Sequence, residues 1–226
     1  MSIYISPSIM CCQFEDYSDY ISSFENKRVK NIHFDVMDGH YVKNIMLGTN
    51  TYKELKSKTN LPIDLHFMCN NPEDFIEYFS PQNGDWVCFH PETTNHPHRL
   101  LQKIKSLGCR AGYAINPGTP LSYIEEVLDE LDYILIMAVN PGFAGQTMVD
   151  SHLDKLKRIK EMVNSADRNI DLVIDGNTTI ENAKKMVNAG ATGLVVGTSS
   201  LLKSVEVFNE EYENYLEAIS NLKESQ

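Results

Sequence analysis

Short apolar runs recur along the chain and are separated by longer segments of mixed polarity. Most of the runs are rich in β-branched and aromatic residues and are too short for a typical helix, which predicts buried strands. The predicted strands are residues 3–9, 30–37, 62–68, 85–90, 110–115, 133–139, 170–175 and 192–196.

The segments between these runs are amphipathic. In residues 14–26 the apolar side chains recur at three- and four-residue spacing, which is typical of a helix with one buried face. Proline after Asn71 and after Thr119 predicts two helix starts, and Gly108 and Gly190 predict two helix ends. The predicted helices are residues 14–26, 50–58, 72–80, 96–107, 120–130, 150–164, 179–189 and 205–222.

Strict alternation of strands and helices predicts an α/β fold in which helices cover a parallel sheet. Eight such units in 226 residues fit a closed (β/α)8 TIM barrel, forming a single domain over residues 1–226. An open doubly wound sheet is the alternative. That fold usually carries a glycine-rich turn after its first strand, whereas Ser6-Pro7-Ser8 stands there.

Polar residues stand at the ends of three predicted strands, where a barrel of this kind carries its active site. Alternation puts His33 and Asp35 on one face of the second strand, His66 ends the third, and Asp175 ends the seventh. Two imidazoles and two carboxylates form a plausible site for one divalent ion: Zn, Fe or Co through imidazole, Mn or Mg through carboxylate. The alternative is a set of unrelated polar residues at loop entrances.

The last two units carry glycines where this fold usually binds phosphate, at helix N-termini after strands seven and eight. Gly176 and Asn177 follow the seventh strand, and Gly197, Thr198 and Ser199 follow the eighth, where we expect a short extra helix. Backbone N–H groups there would attract a phosphate to a chain of net negative charge.

The loop after the sixth strand predicts a flap that closes over a ligand. It contains Gly142, Phe143, Ala144 and Gly145, two glycines around an aromatic residue. Three methionines at strand ends are predicted to provide apolar packing for the substrate: Met37, Met68 and Met137. The other histidines, which are less informative, include His40, His90, His96 and His98.

The amino-acid composition argues against some kinds of binding partner and some cellular locations. Lys and Arg number 20 and Asp and Glu 31, a net charge of −11, which argues against a nucleic-acid-binding surface. The sequence predicts no signal peptide, and it contains no apolar run of the roughly 18 residues that a membrane span needs. Five cysteines without a C-x-x-C pair favour free, packed thiols in a reducing cytoplasm.

Several segments, taken in order and spacing over nearly the whole chain, resemble the ribulose-phosphate 3-epimerase family. They are ISPSIM, HFDVMDGHYVKN, LPIDLHFM, MAVNPGFAGQ, VIDG and GLVVGTSS. The resemblance implies a TIM barrel of the ribulose-phosphate-binding type, an isomerase that inverts C3 of a phosphorylated ketose. It also implies one divalent metal ion per subunit and a homo-oligomer, either a dimer or a hexamer.

The resemblance also implies roles for particular residues. The metal ligands would be His33, Asp35, His66 and Asp175, with Asp35 and Asp175 as the acid–base pair. The substrate contacts would be Ser8, His66, Gly142, Phe143, Ala144, Gly145, Gly176, Asn177, Gly197, Thr198 and Ser199, with Met37, Met68 and Met137 lining the pocket.

Some details resemble the allulose-6-phosphate 3-epimerase branch: SIMC, FHPET, GFAGQ and GTSSL. Ala144 and Asn177 stand where the ribulose 5-phosphate branch more typically has glycine, and Lys43 replaces a usual proline. We therefore expect conversion of D-allulose 6-phosphate to D-fructose 6-phosphate. The alternative is conversion of D-ribulose 5-phosphate to D-xylulose 5-phosphate.

The expected reaction passes through an enediolate. One carboxylate removes the C3 proton and the other returns a proton to the opposite face, while the metal stabilises the developing charge. A decarboxylase or aldol-type synthase on a similar barrel would carry a D-x-K-x-x-D array, which no predicted strand end has. A catalytically inactive barrel used for binding is the alternative outside enzymes.

Overall fold

The computed structural model describes residues 3–166 and 168–220 of the chain. These residues form one sheet of nine strands with helices between them. The strands are β1 Tyr4–Pro7, β2 Ile32–Asp38, β3 Ile45–Met46, β4 Ile63–Met68, β5 Trp86–Phe89, β6 Arg110–Ile115, β7 Tyr133–Met137, β8 Asp171–Asp175 and β9 Gly193–Val196.

The helices alternate with the strands along the chain. The α-helices are α1 Tyr17–Lys27, α2 Thr49–Lys58, α3 Pro72–Phe79, α4 Pro97–Ser106, α5 Ser122–Glu125, α6 His152–Ser165, α7 Ile180–Asn188 and α8 Val205–Ser220. Short 3-10 helices lie at Ile9–Cys11, Phe14–Asp16, Pro91–Thr93 and Leu128–Glu130. None of the helices within the described ranges is long and apolar enough to cross a membrane.

The sheet curls into a closed barrel. Eight strands run parallel in the order β1-β9-β8-β7-β6-β5-β4-β2. Ser8, just after β1, pairs with His33 of β2 in a parallel bridge, and the Lys30 N–H donates to the Ile5 carbonyl at 3.3 Å. The first and last strands of the order therefore meet, which confirms the TIM-barrel prediction and excludes the open doubly wound sheet.

Two apolar layers hold the barrel together. The larger layer lies between strands and helices and includes the buried rings of Phe24, Phe34 and Phe208. The smaller one fills the barrel interior, where Trp86 packs against Tyr133 with ring centroids 4.9 Å apart. Side chains alternate between the two layers along each strand, so the polar residues of β2 and β4 point inward.

Most predicted elements are confirmed, with strands trimmed at their ends. Gly108 and Gly190 follow helices with positive φ values of 76° and 115°, and α3 begins at Pro72. The first predicted helix starts with a 3-10 turn before α1 begins at Tyr17. The last predicted helix, 205–222, ends at Ser220, and its final two residues lie outside the described ranges.

The helix predicted at 120–130 is wrong as a continuous element. It consists of α5 and the 3-10 helix Leu128–Glu130, and Thr119-Pro120 does not begin it. Between them Val127 has φ −130° and ψ 11°, outside the helical region. Ile124, Val127 and Leu131 are buried on both sides of this break, and a continuous helix would also place them on one face, so the apolar spacing alone does not reveal the break.

Two further differences lie beside the mouth of the barrel. The two-residue strand β3, too short for any periodicity, pairs antiparallel with Met37 and Asp38. The short extra helix expected after Gly197 is absent from the described residues, which form successive turns over 198–203. The N–H groups of Ser200 and Leu202 both donate to the Gly197 carbonyl, at 3.1 and 3.0 Å, so the backbone closes a tight turn instead.

The five cysteines are all free thiols, as predicted. Three are buried in the packing layers and two are half-buried. One of the half-buried pair, Cys11, reaches the cavity described below.

Candidate active site

Three strands bring four ligand-type side chains to one point at the carboxyl end of the barrel. In the register of β2 and β4, Asp35 lies opposite His66, and His33 lies opposite Asp64. Asp175 is the last residue of β8, across the barrel. The two histidines and Asp35 are buried, and the Asp175 side chain is 19% exposed, so it forms the open side of the group.

The spacing of the donor atoms fits a single ion. Asp35 Oδ1 lies 3.2 Å from His33 Nε2 and 3.1 Å from His66 Nδ1. Asp175 Oδ2 lies 3.8 and 3.9 Å from the same two nitrogens. Ligands about 2.0–2.2 Å from one ion lie about 3–4 Å from each other. The group of His33, Asp35, His66 and Asp175 could therefore hold a metal ion.

Neighbouring polar groups fix the orientation of these ligands. Asp64 Oδ2 contacts His33 Nδ1 at 2.8 Å, and Asp64 Oδ1 accepts a hydrogen bond from the Tyr133 hydroxyl at 2.7 Å. The Ser8 hydroxyl donates to Asp35 Oδ2 at 2.8 Å. His33 and Asp35 thus each keep one polar atom for the shared point and use the other for support, a common arrangement in metal sites.

His66 is supported by another histidine. His66 Nε2 lies 3.0 Å from His90 Nε2, and both side chains are fully buried. The Tyr41 ring packs on His90, with centroids 4.8 Å apart. Neither His90 nor Asp64 is among the site residues predicted from the sequence. Asp64 could have been found from its position two residues before His66, on the same face of β4.

The two carboxylates differ in proton affinity although they lie side by side. Burial alone would raise the pKa of Asp35, but His33 and His66 lower it well below its usual value. Burial raises the pKa of Asp175 to about 6, with Asp35 adding to the effect and His33 opposing it. Burial would lower the pKa of His33, yet the neighbouring carboxylates raise it well above normal. Environment thus gives two chemically identical groups different acid–base properties.

A cavity that opens to solvent lies above this group, with about 570 Å³ of empty space when its open part is included. The two histidines lie beneath its floor and do not line it. Predicted residues that line it are Ser8, Asp35, Met37, Met68, Met137, Gly142, Phe143, Ala144, Gly145, Asp175, Gly176, Asn177, Gly197, Thr198 and Ser199. Lining residues that the sequence analysis missed include Met10, Cys11, Asn140, Gln146 and Thr178.

The three methionines supply the apolar part of this lining. Met37 and Met68 are buried together and pack with Val42, whereas Met137 belongs to the interior layer of the barrel. All three line the cavity, and their contact with a substrate stays a prediction. They place a water-poor surface beside the carboxylates.

The flap, residues 140–147, is held against the loop that follows β2. The Asn44 amide donates to the Gly142 carbonyl at 2.9 Å, and Gly142 packs so closely on Val42 that a Cβ atom would lie 3.0 Å from it. Gln146 bonds the carbonyls of Asn140 and Phe143 within the flap. The Phe143 side chain remains 56% exposed at the cavity edge.

The loop after β8 needs unusual backbone angles. Gly176 has φ 102°, and a Cβ atom there would lie 2.6 Å from Val139. Asn177 has φ 51°, which asparagine tolerates better than most residues. Its Oδ1 accepts hydrogen bonds from the Met148 N–H and the Asn182 amide, at 3.1 and 2.7 Å. Asparagine thus keeps the loop geometry and ties it to the end of the flap.

A closed parallel barrel with a buried histidine–carboxylate group below glycine loops defines a class: metal-dependent enzymes that act on small phosphorylated substrates. Comparison with known proteins gives the same enzyme class. The family described as "Ribulose-phosphate 3 epimerase family" matches residues 4–201. The chain belongs to this family. It is an isomerase that acts on a sugar phosphate and depends on a divalent metal ion.

Individual relatives cover most of the chain. The chloroplastic ribulose-5-phosphate-3-epimerase of Arabidopsis thaliana is 40% identical over 225 residues, which are 99% of this chain and 77% of that protein. The ribulose-phosphate 3-epimerase of Aquifex aeolicus is 39% identical, covering 86% of this chain and 87% of its own length.

Similarity to solved structures supports the fold. A mutant tryptophan synthase alpha-subunit from Pyrococcus furiosus superposes with a TM-score of 0.65 at 15% identity, covering 96% of this chain and 97% of that one. At this identity the similarity concerns the barrel alone and says nothing about the reaction.

Proposed function

We propose that this protein interconverts D-ribulose 5-phosphate and D-xylulose 5-phosphate, the alternative that the sequence analysis ranked second. The observation that carries the proposal is the pairing of Asp35 and Asp175 with His33 and His66 at the base of one cavity. The relatives at 39–40% identity that are named as ribulose-phosphate epimerases support the five-carbon substrate.

The preference for allulose 6-phosphate has no support beyond the sequence details that suggested it. Asn177 uses its side chain to bond Met148 and Asn182, so its presence has a structural explanation that does not involve substrate length. Ala144 lies in the flap, at the cavity edge. The six-carbon substrate therefore remains a prediction, to be tested beside the five-carbon one.

The proposed acid–base pair is Asp35 and Asp175, which approach the shared point from different strands. One carboxylate removes the C3 proton from one face of the ketose, and the other delivers a proton to the opposite face, which inverts the centre. Ser8 holds Asp35 in place through its second oxygen. His33, Asp35, His66 and Asp175 would hold the divalent ion, which when bound stabilises negative charge on the substrate oxygens.

The remaining cavity residues have binding roles in this proposal. The loops at Gly176 and Asn177 and at 197–199 would hold the phosphate through backbone N–H groups, without requiring lysine or arginine. The flap would close over the sugar, with Gly142, Phe143, Ala144 and Gly145 against it. Met37, Met68 and Met137 would exclude water from the reacting carbon.

The test is epimerisation by the purified protein of D-ribulose 5-phosphate and, separately, of D-allulose 6-phosphate. Each substrate is assayed with a chelator and after addition of Zn, Fe, Mn, Co or Mg. We expect turnover of ribulose 5-phosphate, its loss with the chelator and its recovery with metal. A clear preference for allulose 6-phosphate would restore the six-carbon assignment. Metal binding without turnover of either sugar would contradict the epimerase assignment and favour a barrel kept for binding.

The resemblance to the family further supports three proposals about the whole protein. The single sheet supports one domain. We propose a homo-oligomer, dimer or hexamer, which light scattering on the purified protein would measure. We propose a cytoplasmic location, on the free thiols of the cysteines, which fractionation of the source cells would test.

A further inference from the structure

His90 and His66 form a pair of imidazoles in direct contact inside the protein. Their Nε2 atoms are 3.0 Å apart, and neither side chain is accessible to solvent. At this distance one nitrogen must donate a proton and the other must accept it, since two lone pairs or two N–H groups would repel. No solvent can exchange with either atom, so each ring constrains the proton position of the other.

The opposite nitrogen of His66 faces the metal-ligand group. His66 Nδ1 lies 3.1 Å from Asp35 Oδ1 and 3.9 Å from Asp175 Oδ2. A histidine binds a metal through a lone pair, and the proton of a neutral ring then sits on the other nitrogen. If Nδ1 of His66 is the ligand, Nε2 carries the proton and His90 Nε2 must accept it.

In the accepting form, the proton of His90 lies on the side of a carboxylate. A ring that accepts at Nε2 carries its proton on Nδ1; this atom has no hydrogen-bond partner within the described residues, and Glu92 Oε1 lies 4.0 Å from it. This oxygen is held in place by hydrogen bonds from Tyr41 and Asn116, at 3.0 and 2.9 Å. Its negative charge stabilises an N–H directed toward it.

We propose that His90 is a positioning residue for the metal ligand His66: by accepting the Nε2 proton of His66, it keeps Nδ1 available for the ion. The proposal rests on the ligand set of the proposed function. Asp64 supports His33 by contacting its Nδ1. A carboxylate therefore supports His33 and an imidazole supports His66. Unlike a carboxylate oxygen, the Nε2 atom of His90 can accept a hydrogen bond in only one of the two neutral tautomers.

The test compares cobalt binding by metal-free protein, followed through the visible absorption of the bound ion. His90→Phe keeps a ring against Tyr41 but removes the acceptor, and His90→Gln offers an amide oxygen in its place. The matched control is His98→Phe, at a side chain that is 56% exposed. We expect His90→Phe to weaken cobalt binding about 10- to 100-fold, His90→Gln to recover at least part of the loss, and His98→Phe to bind like wild type.

A second measurement needs no substitution at His90. Nitrogen NMR of the zinc-loaded wild-type protein reports which ring nitrogen carries the proton, with the His66 signal identified by its loss in His66→Asn. We expect the proton on Nε2 of His66 and on Nδ1 of His90. A His66 ring that carries its proton on Nδ1 would overturn the proposal, and this measurement decides the question if neither His90 variant folds.

The failures of the two proposals can be told apart. Weakened cobalt binding by His66→Asn, together with wild-type binding by a folded His90→Phe, would overturn the role of His90 alone. Equal cobalt binding by wild type and His66→Asn would overturn the ligand set itself, and the role of His90 with it.

Discussion

Individual residues in the site divide their polar atoms between chemistry and support. Asp35 offers Oδ1 to the histidines and Oδ2 to Ser8, so its orientation is fixed before substrate arrives. Asp175 is the more exposed carboxylate, and burial raises its pKa to about 6. In the metal-free protein, a carboxyl group with such a pKa exchanges protons readily near neutral pH.

The residue-scale prediction concerns Asp175. We expect Asp175→Asn to lower kcat by about 10²–10⁴-fold, because the amide cannot exchange the substrate proton. The far-UV circular dichroism and melting temperature should stay close to those of wild type. The matched control is Asp171→Asn, at the other end of β8, where the carboxylate pairs with Arg110 at 2.8 Å instead of facing the cavity.

The control should keep near-wild-type turnover. Retention of more than about a tenth of the activity by Asp175→Asn would contradict its assignment as an acid–base group. A fall in activity of equal size in Asp171→Asn would point to a general effect of altering β8.

The strands and helices differ from the loops of the site in how far local sequence patterns predict them. Strands and long helices follow the apolar periodicity, because each buries a continuous face. The loops of the site depend on single residues with unusual backbone angles, such as Gly176 and Asn177. The asparagine replaces a glycine expected at that position and adds two side-chain hydrogen bonds that connect the flap to α7.

The element-scale prediction concerns Gly176→Ala. The added Cβ would meet Val139 at 2.6 Å, and the backbone φ of 102° is unfavourable for alanine. We expect a loss of about 1–3 kcal/mol in the free energy of unfolding and weaker binding of inorganic phosphate. The matched control is Gly118→Ala, where a Cβ atom would meet nothing within 4 Å.

Urea unfolding and phosphate competition in the epimerase assay measure the two effects. Stability of Gly176→Ala within experimental error of wild type would show that the loop relaxes freely. Wild-type phosphate inhibition in a folded variant would contradict the proposed phosphate-binding role of this loop.

At the scale of the whole molecule, closure of the barrel makes the site possible. The contacts between the start of β2 and the end of β1 bring Ser8 beside Asp35, from opposite ends of the strand order. The same packing buries ionisable groups away from the site. His152, the first residue of α6, is almost completely buried, and this burial lowers its pKa to about 4.

The prediction at this scale is a pH dependence of stability. The unfolded chain takes up the His152 proton near pH 6.5 and the folded chain only near pH 4, so the unfolded state binds more protons between these values. The free energy of unfolding should therefore fall as pH decreases through this window, by at most about 1.4 kcal/mol per pH unit from this residue.

Urea unfolding at pH 7 and pH 5, with chelator present, compares wild type, His152→Leu and the exposed-site control His98→Leu. We expect a shallower pH dependence for His152→Leu and the wild-type dependence for His98→Leu. Identical pH dependence in all three proteins would show that His152 does not contribute.

The alternation of strands and helices, the strand ends that carry His33, Asp35, His66 and Asp175, and the family could all be read from the amino-acid sequence. These features depend on local periodicity and short motifs, which each segment contains. Other features became visible only in the folded chain: the support from Asp64 and His90, the turns after Gly197, the break in the helix predicted at 120–130, and the hydrogen bonds of the Asn177 side chain. Each of these depends on strand register or on contacts between distant segments, and no single stretch of sequence contains that information.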